Sequence, residues 1–365
     1  MTSTVHSTKQ FIDEKIMTKI KFKRSKDLVT GGRKHVPLPS GPYKVIGCRD
    51  IMTGTKGKDS GILVRLYYPT NDQERDIQDQ HLFWPNWLPH EKYRKGYADV
   101  GEVTSPTAIK FINWLVGSAF IPCVMNAKPL RDGTRFPVVV LSHGVGGCRT
   151  VSSGICLEMA SNGYLVVALE HRDGTACTTF YADEVKIPLY QSNPDLALPI
   201  QDGMSLNPVG DTTTHPKTID SKTEVHRQDV ESCNVPLRNG NAQGNNKTRH
   251  TSSIIPKTVT EWIDFKAIPE GGPGYYTVRN EQIHVRVQEC LKALDLIEKL
   301  NHGIDIQNIL DGLLDPKEFL DLLDLDKVVL MGHSMGGATC LAAADADSRF
   351  KVVVCLGKSY CHYQD

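Results

Sequence analysis

The apolar positions of this chain fall into short runs separated by polar, glycine-rich joints. "GILVRLYY" (61–68) is dense in β-branched and aromatic residues and is followed by Pro69, which predicts a strand. "FPVVVL" (136–141) and "YLVVAL" (164–169) are continuous apolar runs of strand length. Between them, residues 150–161 predict a helix that Asn162-Gly163 stops. Strand, helix, strand is a βαβ unit and implies a parallel sheet. Farther on, Ile283, Val287, Cys290, Leu291, Leu294 and Ile297 recur at helical spacing across 280–300. Asp315-Pro316-Lys317-Glu318 is a helix start, with an Asp cap, Pro at the first position and Glu at the third. "KVVLMGHSMGGATCLAAA" reads as a strand over 327–331, a sharp turn and a helix of small residues. "KVVVCL" then predicts one more buried strand, Val352–Leu356.

Two stretches lack this pattern. Residues 1 to about 36 read as a mobile tail carrying Lys19, Lys21, Lys23, Arg24 and Lys26. A solvated tail is the simpler reading of that cluster, and weak attraction to anionic lipid is the other. Residues 192–256 are dense in Asn, Asp, Thr, Ser, Gly and Pro. They hold too few aliphatic side chains to offset the entropy of ordering, which predicts a disordered insert. The expected organisation is therefore a tail (1–36) and one domain (37–365) interrupted by that insert.

Composition narrows the function classes. The 365 residues are 40% hydrophobic with a formal net charge of zero, so no global field draws in nucleic acid. Ten cysteines are scattered without CxxC or zinc-type spacing, which predicts reduced thiols and no metal site. No cofactor motif occurs. The first residues hold no apolar signal core, and no run reaches the length of a membrane span. The expected location is cytoplasmic, with peripheral contact to a lipid surface. Asn246-Lys247-Thr248 is read as a chance sequon.

Gly332-His333-Ser334-Met335-Gly336 is a GxSxG between a predicted strand and a predicted helix, the setting of a nucleophile elbow. The bland alternative is a glycine-rich turn. An elbow puts the serine hydroxyl above the sheet edge at a helix N-terminus, where developing negative charge is favoured. An acyl-transfer serine also needs oxyanion donors, and the N–H of Met335 is one. "VVVLSHGVGGCRT" supplies an HGGG-type loop after an earlier strand, with Val145 N–H as the second donor. His143 is expected to hold this loop locally, because the base in such a site follows the nucleophile. The two motifs together predict the α/β-hydrolase fold with a mostly parallel central sheet.

The segments "GPYKVIGCRDIM", "LVRLYYP", "VVLSHGVGGCRT", "VVALEHRDGTACTTFY", "VRNEQIHVRVQEC" and "VVLMGHSMGGAT" resemble the platelet-activating factor acetylhydrolases, from about Gly41 to Leu356. The resemblance implies a calcium-independent serine esterase that removes acetyl, short or oxidised acyl chains from the sn-2 position of phospholipids. Ser334 would be the nucleophile. Family members carry Phe where Met335 stands and Leu where Val145 stands, changes that alter pocket shape more than the backbone donors. Residues 108–122 align with the family's interface helix. Ile109, Ile112, Val116 and Phe120 would share one helical face, with Trp114 at headgroup depth. A helix buried under a loop is the alternative.

The resemblance also places the family's catalytic Asp just after the strand Val352–Leu356, where this sequence has Gly357. The family's His lies beyond any residue of this chain. His362 is a poor substitute. The expectation is a C-terminally incomplete hydrolase domain, inactive as it stands, with Val352–Leu356 left as an open apolar edge. A non-catalytic lipid- or partner-binding protein on the same scaffold is the alternative, and a different esterase of this fold a weaker third.

Overall fold

A computed structural model of the chain describes residues 23–24, 33–57, 60–70, 80–103, 105, 119–182, 259–269, 271–310 and 314–357. The chain divides into two compact units, residues 1–187 with 250–365, and residues 188–249. The second unit and the whole expected insert, 192–256, lie outside the described residues.

Two short strands, β1 (Lys23–Arg24) and β2 (Lys34–His35), pair antiparallel. They are followed by β3 (Ile46–Met52), β4 (Leu63–Pro69) and helix α1 (Glu91–Val100). Next come β5 (Val124–Met125), β6 (Phe136–Ser142), α2 (Ser153–Ser161), β7 (Leu165–Leu169) and β8 (Thr178–Ala182). The remaining elements are β9 (Val259–Asp264), α3 (Tyr275–Asn301), β10 (Leu323–His333), α4 (Met335–Ala346) and β11 (Val352–Leu356). Seven strands form one sheet in the order β11-β10-β6-β7-β4-β3-β5. β11, β10, β6 and β7 are mutually parallel, while β4 runs antiparallel to both β7 and β3. β8 and β9 form a separate antiparallel pair.

The continuous apolar runs are explained by burial on both faces. In β6, Val138 and Val140 point into a core under α3 and α4, while Val139 and Leu141 point into a second core under α2. β7 divides likewise, Leu165 and Val167 against Val166 and Ala168. The helical spacing of Ile283, Val287, Cys290, Leu294 and Ile297 is the buried stripe of α3.

Two boundaries differ from expectation. The tail ends earlier than residue 36: His35 and Val36 are buried, Val36 in the second core. The predicted helix start at Asp315 is real, with Asp315 capping Lys317 N–H, but it opens a single 3₁₀ turn, Pro316–Phe319. Val352–Leu356 forms as a strand and stands at the open edge expected for this chain. It is a sheet edge with Val352 51% exposed, because among the described residues only β10 pairs with it.

Candidate active site

β10 delivers its last residues to the C-terminal edge of the parallel strands, and the chain there reverses into α4 without a connecting loop. Ser334 occupies the reversal with φ 54° and ψ −121°, a conformation a non-glycine residue holds only when its surroundings enforce it. Two hydrogen bonds and two close backbone approaches enforce it. Ser334 N–H donates to Leu356 O of β11 at 3.1 Å, and Ser334 O accepts from Gly337 N–H at 2.8 Å to begin the helix. A Cβ at Gly332 would overlap the Gly336 carbonyl, and one at Gly336 would overlap the Ser142 carbonyl. The two glycines of the motif are thus required by close backbone approach, as the elbow predicts.

The glycine loop after β6 runs beside the serine. A Cβ on Gly144 would lie 3.2 Å from Ser334 Cβ. Gly146 N–H donates to Thr175 O at 2.7 Å and Gly147 N–H to Gly144 O at 3.1 Å. No partner within the described residues takes the intervening Val145 N–H. Met335 N–H opens α4 and has no intrahelical acceptor. Both expected oxyanion donors therefore belong to elements packed around Ser334, and Met335 is buried while Val145 is half-buried.

His143 is buried and engaged locally, as expected. Its Nδ1 lies 2.8 Å from Gly144 O, and its Nε2 accepts from His171 N–H at 3.1 Å. Burial, with His171 and Arg286 adding to it, holds its pKa well below the ordinary value, so the ring is neutral. Among the described residues no hydrogen bond joins a histidine ring to the Ser334 hydroxyl. Gly357 follows β11 with φ 84°, a left-handed backbone that suits glycine and would strain an aspartate. His362 lies outside the described residues.

The expected interface residues Ile109, Ile112, Trp114 and Val116 also lie outside the described residues. Phe120 does not belong to a helix. Its N–H donates to Lys34 O and its carbonyl accepts from Val36 N–H, both at 2.9 Å. Ala119 and Ile121 pair with Trp87 and Pro85 on the other side, so this segment is extended and its helical spacing is coincidental. The guanidinium of Arg33 covers the Phe120 ring at 4.8 Å. A cleft of about 530 Å³ lies against β8 and β9, lined by Lys56, Arg172, Tyr181, Trp262 and Lys266 among others, and Ser334 is not one of its walls. The described residues hold no cluster of three or more His, Cys, Asp or Glu suited to a metal. None of their helices is long and apolar enough to cross a membrane.

Sequence reasoning missed a polar network directly behind the glycine loop. Ser142 Oγ lies 2.7 Å from His171 Nε2, and His171 Nδ1 lies 2.6 Å from Glu289 Oε2. Arg286 Nη1 donates to His143 O and Arg286 Nε to Asp173 Oδ2, each at 2.7 Å. The available signal was a pair of charged residues, Arg286 and Glu289, set within the apolar stripe of α3.

A strained serine between a parallel strand and a helix, flanked by a glycine loop from the neighbouring strand, defines an α/β-hydrolase. Residues 28–202 and 226–359 match the family described as platelet-activating factor acetylhydrolase, isoform II. The chain belongs to that family. The platelet-activating factor acetylhydrolase of Gallus gallus is 29% identical over 92% of this chain and 63% of its own length. That of Canis lupus familiaris is 30% identical over 89% of this chain and 55% of its own. This chain thus spans less than two thirds of these curated relatives. Among solved structures, a ferulic acid esterase from Streptomyces cinnamoneus aligns with 87% of this chain and 59% of its own, with 14% identity and a TM-score of 0.42.

Proposed function

We propose that this chain carries the nucleophile and the oxyanion donors of a serine esterase acting on phospholipids. The sn-2 acetyl ester of platelet-activating factor, or a short or oxidised acyl ester, is the substrate class. The observation that carries the reading is the enforced conformation of Ser334 beside the 143–147 loop. Family membership supports the substrate class.

In this mechanism Ser334 Oγ attacks the ester carbonyl and gives its proton to a base from outside the described residues. The carbonyl oxygen becomes an oxyanion, which accepts hydrogen bonds from the N–H groups of Val145 and Met335. The tetrahedral centre then expels the lysophospholipid oxygen, which is reprotonated. Water hydrolyses the acyl-serine and returns the enzyme. No metal enters the scheme, and the glycerol backbone needs only to reach the sheet edge. Ile109, Ile112, Trp114 and Val116 are proposed to bring that edge to a lipid surface.

The test is covalent labelling with a fluorophosphonate, followed by peptide mass spectrometry. Label is expected on Ser334 and is lost in Ser334→Ala. Label on another residue, surviving that substitution, would overturn the assignment. Hydrolysis of an sn-2 acetyl phospholipid, compared with a long-chain sn-2 ester, then tests the substrate class.

A further inference from the structure

Ser142, His171 and Glu289 have the composition of a catalytic triad, yet they cannot be a second active site. Ser142 and His171 are fully buried, and the serine sits on a regular strand that no substrate can reach. Their location suggests another purpose. Ser142 is the last residue of β6, and its carbonyl is the atom against which Gly336 of the elbow packs. His143, the next residue, opens the 143–147 loop. His171 and Arg172 follow β7, and Glu289 projects from α3. The chain therefore ties three elements together at the one point where the loop leaves the sheet.

We propose that Glu289, through His171 and Ser142, is a positioning residue that sets the oxyanion loop against Ser334. Glu289 binds both ends of the β7 exit: Oε2 lies 2.6 Å from His171 Nδ1, and Oε1 accepts from Arg172 N–H at 3.2 Å. His171 in turn holds Ser142 Oγ by its ring and His143 Nε2 by its backbone N–H. His143 spends its other nitrogen on Gly144 O. The path from Glu289 to the loop backbone is thus an unbroken series of hydrogen bonds, all buried. Arg286, one turn earlier on α3, holds the His143 carbonyl from the opposite side.

The network has two complete proton arrangements. With Glu289 ionised, His171 donates from Nδ1–H to the carboxylate and Nε2 accepts from the Ser142 hydroxyl. With Glu289 protonated, the carboxyl donates to Nδ1, and Nε2–H donates to Ser142 Oγ. Each arrangement keeps the Glu289–His171 and His171–Ser142 hydrogen bonds, and the second turns the Ser142 hydroxyl from donor to acceptor. The groups facing Glu289 are His171, Arg172 and Asp173 from the β7 exit and Arg286 from its own helix, with the His143 ring tilted against that of His171 at 4.8 Å.

The proposal rests on the esterase reading only for what the loop is used for, and its test does not require turnover. Hydrogen–deuterium exchange of the full chain is compared for the native protein, Glu289→Ala and Glu289→Gln. Alanine leaves His171 and Arg172 N–H without a buried acceptor. It is expected to speed exchange at residues 144–147 by about tenfold or more, leaving β3 and β4 unchanged. Glutamine keeps both bonds by donating to His171 Nδ1. It should retain slow exchange while fixing His171 as the Nε2–H tautomer, read by nitrogen-15 NMR of the ring. Unchanged exchange in the alanine variant, or a glutamine variant that loosens as much as alanine, would overturn the proposal. Should the alanine variant not fold, Ser142→Ala removes only a hydroxyl. It is expected to loosen the same residues, and unchanged exchange there would equally overturn the proposal. Failure of Ser334 to label, with these exchange results intact, counts against the esterase reading alone.

Discussion

Two buried polar networks lie within the domain, one among β3, β4 and β7 and the other behind the glycine loop, and they use different chemistry. In the first, Asp50 takes Arg65 Nε and Nη2 at 2.5 and 2.7 Å and Arg149 Nη2 at 3.1 Å. Arg149 Nη1 reaches Glu170 at 2.6 Å, and Glu170 also accepts from Tyr93 and Thr179. Two guanidiniums meet two carboxylates, so charge is matched without histidine. Burial would raise the Asp50 pKa, but Arg149 and Arg65 hold it well below the usual carboxylate range. In the second network burial dominates. Glu289 is pushed up to about 7 with Arg172 opposing, and both histidines are pushed well below their ordinary value. The first network is a fixed brace. The second holds the groups that titrate nearest neutrality, and it is the one that borders Ser334 and its glycine loop. Matched charge holds the first network ionised, while burial holds the histidines of the second neutral and draws the Glu289 carboxyl toward its neutral form.

The largest effect should come from breaking the brace. Asp50→Ala leaves two buried guanidiniums short of an anion and is expected to cost about 3–5 kcal/mol in urea unfolding. A loss under 1 kcal/mol would show that water or rearrangement replaces the carboxylate. Next comes the pH dependence of the second network. A carboxyl with a raised folded pKa stabilises the fold while the unfolded chain is also protonated, below its ordinary value of 4.5. That contribution is lost as pH rises toward about 7. The two neutral histidines work in the opposite sense, losing stability as pH falls below 6.5. The difference between the native protein and Glu289→Gln isolates the carboxyl. The native protein should lose on the order of 3 kcal/mol relative to the variant between pH 4 and 8. A flat difference would mean that Glu289 titrates normally. The smallest effect belongs to Thr179→Val, which removes one of several donors to Glu170. It should cost about 1–2 kcal/mol with no change in the pH profile.

The two networks were unequally legible. The motif around Ser334 was readable because its parts are adjacent: the glycines, the serine and the strand–helix switch lie within one short segment. The glycine loop was readable for the same reason. His171 lies 29 residues from Ser142 and 118 from Glu289, and no local rule links them. Periodicity on α3 counts apolar positions, so Arg286 and Glu289 passed as interruptions of the stripe although both are buried in it. Phe120 shows the opposite failure. Its spacing fitted a helix face, but hydrogen bonds from residues 34–36 on one side and 85–87 on the other hold it extended.

The sequence by itself determined the βαβ order, the strands buried on both faces, the elbow and the family, because each depends on the character of consecutive residues or on their period. Only the tertiary structure decided which polar side chains meet. It turned two histidines, a serine and a glutamate from separate elements into one buried chain. The physical reason is that a hydrogen-bond partner is chosen by the packing of helix on sheet. The pattern of residues specifies that packing as a whole, and no short segment of it records which polar atom will face which.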